Sequence, residues 1–115
     1  MLICLDDLKK FTKYSGGYFP THPVIKIFWD VVENFSNEEK CRLIMFVTGF
    51  SRPPVLGFKE FYPAFCIHDG GNDLERLPTA RTCMNILSLP KYDDQQLMRI
   101  KLLQAINLVD GFEFY

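Results

Sequence analysis

No two cysteines in this sequence are separated by two residues, and no stretch concentrates lysine and arginine. Cys4, Cys41, Cys66 and Cys83 therefore offer neither the ligand spacing of a zinc ribbon nor the dithiol of a thioredoxin-like centre. They read as reduced thiols of a cytosolic or nuclear protein. A phosphatase loop of the Cys-x5-Arg type is excluded as well. Leu89 stands where the arginine would follow Cys83, and Lys10, Val47 and Asn72 stand there after the other three. With no basic run and a net charge of −1, neither nucleic acid nor an anionic membrane surface finds electrostatic support. The apolar run Leu43 to Val47 is far too short to cross a bilayer. Asp6 and Asp7 interrupt the opening residues and no cleavage site follows, so no signal peptide is expected. Internal repeats and low-complexity segments are missing too.

What is present fits one folded domain. Hydrophobic residues make up 48% of the chain and charged residues 23%, which excludes a disordered composition. Phenylalanine occurs 11 times in 115 residues, suggesting a dense core, a partner-binding face, or both.

The pattern along the chain alternates helix signals and breakers. Asp6 to Tyr14 reads as a short helix with Leu8 and Phe11 inward, stopped by Gly16 and Gly17. Its small apolar surface is what a segment joined to a larger protein would show. A second helix starts near Pro23, with Ile25, Phe28, Trp29 and Val32 on one face. Ser36 and Glu39 form a capping box for a third, in which Leu43, Ile44 and Val47 share a face and Gly49 is the stop. The prolines of SRPP, Ser51 to Pro54, forbid its continuation. Strands are expected at Ala64 to His68 and Met84 to Leu89, with a turn at DGGND. Asp93 and Gln96 read as a second capping box, opening a helix with Met98, Leu102, Ala105, Ile106 and Val109 inward; Gly111 ends it before a short tail. Helices first, then strands with one late helix, predict an α+β fold: a small β-sheet packed with about four helices.

The chemically interesting stretch is LPTARTCMN, Leu77 to Asn85. It places Cys83 where a polar loop meets an apolar strand, so its thiol can be both accessible and held. Arg81, two residues away, shares a face with Cys83 in an extended chain and could favour the thiolate. Thr82 can fix the loop through local hydrogen bonds. Against this, most cysteines of intracellular domains are small core residues, and local chemistry favours that reading. Cys41 and Cys66 lie in apolar elements and should be core, while Cys4 has no evident role. His22 reads as a helix-start residue. His68 reads as a solvated strand end, although neighbouring strands could bring it to Cys83 as a Cys–His pair. Phe58, Phe61, Tyr62 and Phe65 read as core, with a partner surface as the other possibility.

A series of markers then appears in order: YSGGY, PVIKIFWDVV, FSNEEKCRLIMFVTG, SRPP, GF at Gly57-Phe58, ERLPTARTCMN, LP at Leu89-Pro90, and a terminal GF at Gly111-Phe112. Together they resemble the C-terminal lobe of HECT-domain ubiquitin ligases, over nearly all of residues 1–115. Residues 1–15 match the segment after the interlobe hinge and 16–115 the lobe body. SRPPVLGFKE, PAFCI and LPTARTCMN are most similar to the branch that associates with the proteasome. The resemblance implies that Cys83 accepts ubiquitin from a conjugating enzyme as a glycyl thioester and passes it to a substrate lysine. Thr82 is then the adjacent motif residue, and Phe112, four places from the end, helps position the lobe for lysine transfer. Many members have histidine where Arg81 stands, and a permanently charged guanidinium does not shuttle protons. The acid or base for the incoming lysine would be a carboxylate, with Glu113 and Glu75 as candidates, or would come from the larger N-terminal lobe. That lobe also binds the conjugating enzyme. Implied partners are ubiquitin, the conjugating enzyme, protein substrates and the proteasome, with no nucleic acid and no membrane; no metal or cofactor is implied. The rival reading is a non-catalytic protein-interaction module whose cysteines are all structural.

Overall fold

The computed structural model of the chain describes residues 3–50 and 57–108. SRPP, Val109, the Gly111 stop, Phe112 and Glu113 lie outside the described residues. Within them, four α-helices pack against a four-stranded mixed sheet, the α+β arrangement the sequence predicts.

Helix α2, Pro23–Glu33, begins where Pro23 needs no N–H partner and where His22 Nδ1 accepts a hydrogen bond from the Val24 amide at 3.1 Å. His22 is thus the helix-start residue expected. Ile25 and Phe28 on its inner face are wholly buried. Helix α3, Asn37–Thr48, carries the capping box in both directions between Ser36 and Glu39, and ends on Gly49, whose φ of +79° suits a residue without a Cβ. Helix α4, Gln95–Asn107, buries Met98, Leu102, Ala105 and Ile106. Its cap is Asp94, whose carboxylate accepts from the Leu97 amide at 2.9 Å, and not Asp93. The run DDQQ offers two capping frames one residue apart, and the later one is used.

The N-terminal segment departs further from expectation. Helix α1 spans only Leu5–Phe11. Thr12 ends it in an extended conformation, its Oγ1 donating to Leu8 O at 2.6 Å. Lys13–Ser15 then forms strand β1, drawn into the sheet by pairing that local propensity does not report. Gly16 and Gly17 therefore end a strand, not a helix. Leu8 is buried in the common core and β1 belongs to the common sheet, so residues 3–15 pack as part of one body.

Strands β2, Cys66–Asp69, β3, Thr79–Arg81, and β4, Ile86–Leu89, complete the sheet in the order β1-β2-β4-β3. β1, β2 and β4 run parallel, and β3 is antiparallel to β4. One face presents Ile67, Leu87 and Leu89, all fully buried, to the helices. The other face holds Lys13, Ser15, Cys66, His68, Ile86, Ser88, Thr79 and Arg81, and none of these is buried. The alternation is that of a sheet covered on one side.

Candidate active site

Cys83 stands on a short 3-10 turn, Thr82–Met84, between β3 and β4. The two strands pair antiparallel up to Arg81 opposite Ile86, so Thr82 to Asn85 form a four-residue hairpin loop. Asn85 closes it. Its φ of +54° is left-handed, a region that asparagine tolerates better than most residues. Its amide donates to Thr82 O at 3.4 Å, its carbonyl accepts from the Cys66 amide at 2.9 Å, and its side-chain Nδ2 donates to Pro63 O at 2.6 Å. This side chain is buried, so a lost partner would leave a desolvated polar group. The loop is therefore tied to β2 and to the segment before it.

On the other side the turn rests against the end of α3. A Cβ placed on Gly49 would lie 3.7 Å from Thr82 Cβ. Cys83 is exposed and makes no hydrogen bond among the described residues, so its thiol is open to an approaching group on a backbone that is not. Met84 beside it is 46% exposed. This placement removes the core reading of Cys83. Phe50 and Tyr62 are also exposed; of the four aromatic residues read as core, Phe58, Phe61 and Phe65 are buried and Tyr62 is not.

The other residues singled out in the sequence are scattered. Arg81 is exposed at the end of β3, on the open face of the sheet. His68 is on the same face but pairs in register with Ser88, toward the far end of β4 from the turn. Its Nδ1 lies 2.8 Å from Ser15 Oγ, and Ser15 Oγ lies 3.4 Å from Cys66 Sγ. The hydrogen bonds thus join His68 to Ser15 and not to Cys83. Glu75 precedes β3, at the opposite end of that strand from Cys83, and is exposed. Cys41 is half-buried against the core; Cys66 is half-buried too, but on the open face and beside Ser15, not in the core expected for it. Its strand has an apolar neighbour, Ile67, on the opposite face, and that alternation puts Cys66 outward. Cys4 is exposed as the residue capping α1.

Asn85, Gly49 and Pro63 were not recognised in the sequence as supports of the turn. Asn85 left a signal: an asparagine just before an alternating apolar strand is a candidate left-handed turn closer. Pro63 left none, because its carbonyl reaches Asn85 across 22 residues. No group of three His, Cys, Asp or Glu side chains among the described residues could hold a metal ion, and no described helix is long and apolar enough to cross a membrane.

A family model described as HECT-domain (ubiquitin-transferase) matches residues 2–115. A probable E3 ubiquitin protein ligase of Schizosaccharomyces pombe is 49% identical over 97% of the chain. The E3 ubiquitin-protein ligase UPL6 of Arabidopsis thaliana is 46% identical over 95%, and HUL5 of Saccharomyces cerevisiae is 47% identical over 91%. In each case the chain spans 11% of the relative's length.

Proposed function

We propose that this chain, which belongs to the HECT-domain ubiquitin-transferase family, carries the acceptor cysteine of a ubiquitin-protein ligase, and that this cysteine is Cys83. The thiol sulfur attacks the carbonyl of ubiquitin's C-terminal glycine, held as a thioester on a conjugating enzyme. The enzyme's own thiol leaves, and one thioester replaces another with little change in energy. A substrate lysine amine then attacks the new thioester. An amide forms, the Cys83 thiol is released, and the amine's proton passes to a base.

The observation that carries the reading is the exposure of Cys83 at the tip of a loop fixed at both ends. Transthiolation needs an accessible sulfur whose position does not wander, since both reacting thiols belong to large partners. Asn85 and Thr82 act here as positioning residues for the turn. The conjugating enzyme, the substrate and the proteasome are proposed partners, drawn from the family resemblance. The cytoplasm or nucleus, where thiols stay reduced, is the compartment this chemistry requires.

The test is an intact-mass measurement after mixing with a ubiquitin-charged conjugating enzyme, in the longer protein that carries the whole HECT domain. An adduct of ubiquitin's mass, lost on treatment with thiol reductant or base and absent from Cys83→Ala, is expected. An adduct that persists in Cys83→Ala would assign the chemistry to another thiol.

A further inference from the structure

The uncovered face of the sheet contains a hollow of about 270 Å³. Arg76, Arg81 and His68 line it, together with the hydroxyls of Thr79 and Ser88; Ile86 supplies the apolar part, and no carboxylate belongs to the wall. Neither arginine makes an ion pair or a side-chain hydrogen bond among the described residues. Each basic group nonetheless stands on held backbone. The Arg76 carbonyl accepts a hydrogen bond from the buried Tyr92 hydroxyl, and the adjoining Glu75 carbonyl accepts from Lys101 Nζ at 3.1 Å. Arg81 is fixed by its pairing with Ile86, and His68 by Ser15. Two unpaired guanidinium forks and two hydroxyls around one space make an arrangement with donors in excess and no acceptor of full charge.

We propose that this hollow is an oxyanion site that takes the phosphate monoester of a phosphorylated polypeptide segment. The three terminal oxygens of a phosphate dianion can accept from both forks at once, which a single carboxylate with two oxygens does less completely. The space exceeds that of a bare phosphate ion and opens onto a broad sheet face, so the carrier is a peptide and not a small buried metabolite. Because Arg81 lies two residues before Cys83, a bound segment is held next to the acceptor turn. The binding claim is independent of the chemistry assigned to Cys83, and its test separates the two.

The experiment is an amide NMR titration of this chain with a short phosphoserine peptide, its unphosphorylated serine form, its glutamate form and inorganic phosphate. The phosphopeptide should shift the resonances of His68, Thr79, Ala80 and Ser88, and the serine form should not. Arg76→Ala and Arg81→Ala should each weaken binding by about tenfold, the loss of one charge-assisted pair, while Cys83→Ala binds as the native chain does. Shifts absent from this face, or affinity unchanged in both arginine variants, would overturn the site. Inorganic phosphate binding as tightly as the phosphopeptide would overturn the polypeptide as its occupant.

Discussion

At Cys83 the side chain is open to solvent and has no hydrogen-bond partner among the described residues, whereas Cys66 lies half-buried against Ser15 and Cys41 half-buried against the core. Alkylation rates follow that difference in access. Brief iodoacetamide treatment followed by peptide mass mapping should label Cys83 and Cys4 well before Cys41 and Cys66. Faster labelling of Cys66 would mean that the open face, not the turn, presents the reactive thiol. Stability at the same scale is carried by Asn85 and not by Cys83. Cys83→Ala removes few contacts and should change stability by no more than about 0.5 kcal/mol. Asn85→Ala forces a left-handed φ on a residue that resists it and leaves Pro63 O unpaired, at a cost of about 1–3 kcal/mol. Asn85→Gly keeps the backbone and loses only the side-chain bond, so its melting temperature should fall between the two.

At the scale of elements, helices α2, α3 and α4 and the longer strands β2 and β4 were legible, whereas the short strands β1 and β3 were not. Ile25, Phe28, Trp29 and Val32 recur at helical spacing, and Ser36 with Glu39 marks a helix start by chemistry contained in four residues. β1 and β3 are three residues each, too short to show alternation, and exist because β2 and β4 offer them partners. Their pairing joins residues far apart in sequence: Lys13 sits in register with Cys66, and that is invisible to a local pattern. The same limit hid the support of the Cys83 turn, which comes from Gly49 and Pro63. A resemblance to known sequences located Cys83, while local chemistry alone leaned the other way. The one-residue shift at the start of α4 gives a direct test of frame. Asp94→Ala should cost about 1 kcal/mol, and Asp93→Ala should be near neutral, in thermal or urea melts. The reverse order would restore the earlier frame. Trp29→Ala, which empties a buried site and strips Tyr14 of its indole N–H donor at 3.1 Å, should cost about 3–5 kcal/mol.

Over the whole molecule, buried phenols and one clamped carboxylate set how stability depends on pH. Burial pushes Tyr92 up to about 12 from an ordinary 10.0, with the nearby Asp73 charge adding to it. Burial also raises Tyr18 well above its ordinary range, with Asp69 and Tyr92 adding to it. Groups with raised folded-state values contribute fully below the unfolded value, so stability should fall as pH rises from 10 toward 12. Tyr92→Phe should flatten that alkaline limb. Asp69 behaves oppositely. Burial alone would raise it, but Lys91 at 2.9 Å and the Gly71 amide outweigh that and hold it below its ordinary 3.8. Its contribution is present above that value and lost as pH falls below it, so Asp69→Asn should make the acid limb shallower. Chemical denaturation across the pH range reads both limbs.

We also propose, from the family resemblance alone, that Phe112 acts at lysine transfer, since delivering ubiquitin to a lysine would require a different arrangement of partners from receiving it. A residue that favours only the second arrangement affects only the second rate. In the longer protein, Phe112→Ala should form the Cys83 thioester at near-normal speed and conjugate lysine poorly. Equal loss of both steps in single-turnover assays would make Phe112 a folding residue.

The most direct test of the central claim replaces the sulfur of Cys83 by oxygen. Cys83→Ser, mixed with a ubiquitin-charged conjugating enzyme under single-turnover conditions, should trap ubiquitin as an ester. That adduct resists thiol reductant but is cleaved by base, whereas the native adduct is cleaved by both. A Cys83→Ser protein that still forms a reductant-sensitive adduct, at the native rate, would contradict the assignment of Cys83 as the acceptor.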